Sequence, residues 1–117
     1  MALIDHPDLR RMLLRIGNSM LSRMDIEHAT YTEEHVDRCR EILISHAEDI
    51  DEAQDEDSSA KLVRTTVLKL NQLNYDTGHD LIDEELREFI CGFLSKAGSL
   101  KGRNAPNVDV TEVWREW

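Results

Sequence analysis

The chain has 117 residues, 40% hydrophobic and 5% aromatic, with 14 Lys and Arg against 24 Asp and Glu for a formal charge of −10. That length suits one domain with a mainly aliphatic core, and the negative charge disfavours nucleic acid and anionic membrane as partners. Five Gly and two Pro are too few for the many turns of an all-β fold.

Apolar periodicity predicts four helices. The first spans 8–24, with Pro7 in its first turn, Asp5 or His6 as cap, and a stripe of Leu9, Met12, Leu13, Ile16, Met20 and Met24. Arg10, Arg11, Arg15 and Arg23 lie mainly off that stripe, and Arg10, Arg11 and Arg15 are expected to pair with the acidic segment that follows, laying a basic helix against an acidic one. The second helix runs from 33 to near 49 behind Thr32 as N-cap. Val36, Cys39, Leu43, His46 and Ile50 form its narrow seam, where His46 reads as a hydrogen-bonded core histidine.

The third helix covers about 59–73, capped by Ser58 or Ser59, with Val63, Thr66, Val67, Leu70 and Leu73 as its stripe. Gly78 is placed to take the left-handed conformation that often ends a helix. The fourth covers about 83–97 with Asp83 as N-cap, Leu86, Phe89, Ile90, Phe93 and Leu94 as its stripe, and Gly98 as its stop. From Ser99 the chain reads as loop. Val108 to Thr111 starts a short strand or caps a final turn, and in a helical turn Val110, Val113, Trp114 and Trp117 would share one face.

Four such stripes close one core without a sheet. The expected fold is all-α, a four-helix bundle or related orthogonal helical domain. Residues 1–98 form a single helical domain, and 99–117 form a loop and short element packed back on it or on a partner. No apolar run reaches the roughly 18 residues of a membrane span, and the first residues lack the basic-then-apolar pattern of a signal peptide. Cys39 and Cys91 form no CxxC, so reduced thiols in a cytoplasmic protein are expected, with a disulfide between them as the alternative.

Residues 74–86 imitate a calcium-binding EF-hand loop, with acids at alternating positions around a Gly. Calcium loops of that kind place Gly sixth and a bidentate Glu twelfth. With Glu85 twelfth, Gly78 falls fifth. A helix-ending Gly followed by an Asp N-cap explains the segment, and a degenerate calcium module at Asp76, Asp80, Asp83 and Glu85 is the alternative. His28, His35, His46 and His79 form no HxxxH or HExxH pair, so no metal ligand set and no cofactor is expected. Cys39 has His35 one turn earlier, but its seam position and acidic surroundings raise a thiol pKa instead of lowering it. With no GxSxG and no Gly-rich phosphate loop, no catalytic residue is assigned.

Charge distribution is more informative. Thirteen acids fall within 25–57 beside Arg38 and Arg40 alone, and seven of the ten positions 48–57 are acidic. Asp55, Glu56 and Asp57 favour the start of the third helix. Glu48, Asp49, Asp51 and Glu52 have no such local reason. The seven together make a docking face for a basic protein. Trp114 and Trp117 make either a strap on the bundle or an aromatic anchor at a dimer or partner interface. In size and charge the chain resembles the small acidic helical inhibitors that bacteria make against basic toxins. The expectation is a non-enzymatic interaction module, an inhibitor, immunity-like or adaptor protein. It would act as monomer or homodimer on a basic protein partner, with no nucleic acid and no membrane.

Overall fold

The computed structural model describes every residue except His28, and the backbone but not the side chain of Glu27. His28, among the scattered histidines weighed above, thus lies outside the described residues. A 3-10 turn at Leu3–Asp5 precedes four helices, α1 (Pro7–Glu27), α2 (Glu33–Glu52), α3 (Glu56–Asp76) and α4 (Glu84–Leu100), and the described residues contain no strand. The fold is an all-α four-helix bundle. Its radius of gyration, 13.6 Å, fits the roughly 13 Å of a compact 100-residue domain.

Each helix starts where a side chain can take an orphan backbone N–H. The Asp8 N–H donates to His6 Nδ1 at 3.2 Å ahead of α1. Thr32 caps α2, and its own N–H donates to His35 Nδ1 at 3.0 Å. Asp83 Oδ1 accepts the Leu86 N–H at 2.8 Å and opens α4. The start of α3 departs from expectation: the cap is Asp55, accepting the Ser58 N–H at 2.7 Å, not Ser58 or Ser59. An Asp in that position carries both the hydrogen bond and a charge suited to the helix dipole, so α3 begins at Glu56.

Two helices end on a left-handed glycine. After α3, the Gly78 N–H donates to Tyr75 O and the His79 N–H to Asn74 O, with Gly78 at φ 68°. After α4 the same arrangement falls at Gly102, φ 69°, instead of Gly98. Gly98 is buried inside the helix for a different reason. A Cβ there would lie 1.8 Å from Asn104 Oδ1, and Asn104 is held in that place by its Nδ2 donating to Ser95 O at 3.1 Å.

The predicted stripes make the core. Leu9, Ile16 and Met20 of α1, Val36, Leu43 and Ile50 of α2, Val67 and Leu70 of α3, and Leu86, Ile90 and Phe93 of α4 are all essentially inaccessible. Each such side chain contributes about 1.5–3 kcal/mol on burial, against about 1 kcal/mol for a cap, so the stripes decide the fold and the caps set its boundaries. Helix α1 packs mainly on α4 and α2 mainly on α3, with further contacts of α2 to α1 and α4.

The C-terminal tail links α3 to α4. Asn71 of α3 donates through Nδ2 to Trp114 O at 2.8 Å and accepts the Glu116 N–H at 3.1 Å. Cys91 Sγ of α4 lies 3.2 Å from Thr111 Oγ1. Val110, Trp114 and Trp117 pack on the core, whereas Val113 is 82% exposed. The shared face expected for these four fails because the helical turn, closed by Trp114 and Arg115 N–H bonds to Thr111 O, is a single one. Cys39 and Cys91 are both free thiols, so the disulfide alternative is excluded.

The expected pairing of a basic α1 with an acidic α2 also fails among the described residues. Arg10 pairs with Asp5 at 3.1 Å and Arg11 with Asp8 at 2.6 Å, both short-range partners in sequence. Arg15 lies over the Phe89 ring at 4.9 Å, and Arg23 reaches the α3–α4 connection.

Candidate functional site

The end of α2, the start of α3 and their short connection bring the predicted acidic face into one corner. Glu48, Asp49, Glu52, Asp55, Glu56 and Asp57 are all exposed there. Of these, only Asp57 joins an ion pair among the described residues, with Lys61 at 3.3 Å. An open groove of about 410 Å³ runs beside them, bordered by Asp49 and Glu52 on one side and Ser58, Lys61, Leu62 and Thr65 on the other. The Ser58 N–H holds the Asp55 carboxyl below its ordinary range, so Asp55 stays charged.

Asp51 belongs to a different set. Sequence offered no structural reason for it, but the fold supplies two. Its Oδ2 accepts the Leu3 N–H at 3.0 Å, and its Oδ1 lies 3.0 Å from Lys101 Nζ. The Leu3 hydrogen bond first, then Lys101, hold its carboxyl below the usual range. Asp51 therefore ties the 3-10 turn and the α4 C-terminus to α2. Arg103 acts beside it, donating from Nη2 to Ala53 O at 2.7 Å and placing a cation at the negative end of the α2 dipole.

The imitation calcium loop is organised by an arginine. Arg23 of α1 bridges to Asp83 at 3.0 Å and approaches Asp80 at 3.8 Å, donates to the carbonyls of Asp80 and Leu81, and lies 5.2 Å from the Tyr31 ring centre. Asp80 also accepts the Thr30 N–H at 2.8 Å, and Asp83 caps α4. Asp76 accepts from Gln72, and Glu85 lies beside Ser19. Of the four carboxylates of the calcium alternative, Asp80 and Asp83 thus converge on the cation of Arg23, while Asp76 and Glu85 face other partners. Among the described residues no three His, Cys, Asp or Glu side chains sit together as a metal set.

The core histidine and the thiols are structural in character. His46 is buried, its Nδ1 2.5 Å from Thr66 Oγ1 and its Nε2 without a partner, and burial pushes its imidazole down to about 4. Burial pushes the Cys39 thiol up to about 12, leaving it unreactive. Cys91, half-buried, is raised as well, again mainly by burial.

Sequence reasoning missed one further feature, a cavity between α3, α4 and the tail bordered by Ser59 and Arg103. A signal for Ser59 existed, because it continues the 63, 66, 70 register of the α3 stripe. Arg103 lies in a loop, where no periodicity marks it. No helix among the described residues is long and apolar enough to cross a membrane. No family model matches the chain, and neither a curated protein nor a solved structure matches it.

Proposed function

We propose that this protein is a non-enzymatic interaction module, an inhibitor, immunity-like or adaptor protein, that binds a basic protein partner through the acidic α2–α3 corner. One observation carries the reading. Glu48, Asp49, Glu52, Asp55 and Glu56 crowd one corner, exposed and without ion pairs among the described residues, while Asp51 is consumed by the fold. Like charges held this close repel one another, and those at the end of α2 also oppose its dipole. A cationic surface relieves both, steers encounter and sets orientation. The adjoining groove, with the half-buried Ala53 and Leu62 on its wall, gives a bound basic segment an apolar contact as well.

The test uses a Lys/Arg-rich peptide as probe. Binding is expected to weaken at least tenfold between 50 and 300 mM salt, because exposed charges are screened. It should weaken similarly when Glu48, Asp49, Glu52 and Glu56 are changed to their amides. A control with Glu34, Asp37, Glu41 and Glu112 changed to amides removes equal charge from elsewhere and should bind nearly as the parent does. Equal loss in both variants would mean that net charge alone is sensed, and the docking reading would fail.

A further inference from the structure

A groove of about 440 Å³ runs along the outside of the α1–α2 junction. Its apolar lining is Ile4, Leu13, Leu14 and Ile44, and its polar lining is three arginines, Arg10, Arg11 and Arg40, with no carboxylate. Leu14 is 57% exposed. Arg40 projects from α2 across α1: a Cβ at Gly17 would lie 3.2 Å from its Cδ and 3.7 Å from its Cζ. Glycine inside a helix is destabilising relative to alanine, and here it gives a guanidinium its place on the α1 side. Arg40 joins none of the ion pairs among the described residues. Arg10 and Arg11 are largely exposed, and each gives a single nitrogen to Asp5 or Asp8. Other donors of both guanidinium groups stay open.

The opposite shoulder of the groove is acidic. Asp37 and Glu41 stand seven and three residues before Ile44 and Glu48 four after it, so all three lie on its side of α2. They are exposed and join no ion pair among the described residues. The face therefore runs from cations over α1, through an aliphatic strip, to anions on α2. An occupant needs an apolar strip of its own, with anions on one edge and cations on the other. This same face, turned through a two-fold axis, has that pattern. Helices α1 and α2 are antiparallel, since Leu3 meets Asp51 and Gly17 meets Arg40. An axis along the groove, parallel to both, lays α1 of each copy over α2 of the other. Arg10 and Arg11 then face Glu41 and Glu48 of the second copy, Arg40 faces its Asp37, and Leu14 closes over the strip. Two helices about 30 Å long and each about 10 Å across offer roughly 600 Å² per copy, the low end for a specific interface.

We infer that the α1–α2 groove is a docking surface for a second copy of this chain, joined two-fold with the basic α1 shoulder of each copy on the acidic α2 shoulder of the other. The pairing of α1 with α2 that fails inside one chain is made between two. Within one copy the shoulders point apart, whereas across the axis they meet. Trp114 and Trp117, packed on their own core, take no part. The face shares only Glu48 with the docking corner, and neither reading depends on the other.

Sedimentation equilibrium between 10 μM and 1 mM reads the association, and charge exchange tests its geometry. The parent protein should pass from one chain mass to two, with Kd of about 100 μM or tighter. Leu14→Glu should weaken association at least tenfold. So should Arg10→Glu/Arg11→Glu, which sets acid against acid, and Asp37→Arg/Glu41→Arg, which sets base against base. The second pair does so although it lowers the net negative charge of the chain, the opposite of what general repulsion predicts. All of these side chains are exposed, and thermal unfolding checks that each variant keeps its fold. An equimolar mixture of the two charge variants should form a mixed dimer within about threefold of the parent affinity, because both contacts across the axis again join opposite charges. Any of four results would overturn the inference: a parent still monomeric at 1 mM, masses that climb past two chains, Asp37→Arg/Glu41→Arg associating as tightly as the parent, or a mixture that associates no better than its components.

Discussion

Lowering the pH from 7 to 4.5 tests how the bundle carries His46 in its interior. An unfolded imidazole takes up a proton near 6.5, whereas burial holds the folded one neutral down to about 4. Between those values the unfolded state binds more protons, so stability falls as the pH falls. The contribution is complete above about 6.5 and lost by about 4. One pKa unit is worth about 1.4 kcal/mol, and the integrated loss reaches about 2.5 kcal/mol by pH 4.5, a large share of a typical total of ~5–15 kcal/mol. Asp8, Asp51 and Asp55, held below 3.8, lose their stabilisation mainly at still lower pH. Urea unfolding at pH 7, 6, 5 and 4.5 should show the decline in the parent protein. In His46→Leu/Thr66→Val, which replaces both hydrogen-bonding partners by apolar groups, the decline should be about 2.5 kcal/mol smaller. All other titrating groups are common to both proteins and cancel. A difference under about 1 kcal/mol, or a His46 imidazole that titrates near 6.5 in the folded protein by NMR, would refute the reasoning.

Three substitutions probe the other joints of the fold. Gly98→Ala places a Cβ against Asn104 Oδ1 and should destabilise by about 1–3 kcal/mol; adding Asn104→Ala should recover part of that loss in thermal unfolding, and simple additivity would contradict the steric account. Arg23→Met should cost about 1–2 kcal/mol, a discounted figure because its partners Asp80 and Asp83 are 38% and 44% exposed, and should speed hydrogen exchange at Ile82; unchanged exchange would mean that the connection holds itself. Asn71→Ala removes the bonds to Trp114 O and the Glu116 N–H and should cost about 1–3 kcal/mol, with tryptophan emission shifting to the red as the tail loosens; an unshifted spectrum would place the hold on the tail elsewhere.

The amino-acid order by itself determined four helices, three of their N-caps and most of the core, because these follow from periodicity and local hydrogen bonding; Leu3, Tyr31, Leu81 and Ala97 joined the core without belonging to a predicted stripe. Leu9, Leu43, Leu70 and Ile90 each belong to a stripe of three- and four-residue spacing on their own helix, and burying those stripes outweighs every other local preference. His46 as a hydrogen-bonded core histidine was legible for the same reason. Asp55 as the α3 cap was legible in kind but misassigned in place, because neighbouring Ser58 and Ser59 carry equal capping signals.

Only the tertiary structure decided which charges are spent on the fold and which remain free. Asp51 serves Leu3 and Lys101, partners about fifty residues away, while Glu48, Asp49 and Glu52 on the same helix join no ion pair among the described residues. The same holds for Arg23 in the imitation calcium loop, for Gly98 facing Asn104, and for the cavity shared by Ser59 and Arg103. Each depends on long-range juxtaposition, which pattern along the chain cannot express. The acidic block was written in the sequence, but its division into a part used by the fold and an exposed part depends on where the folded chain places its few cations.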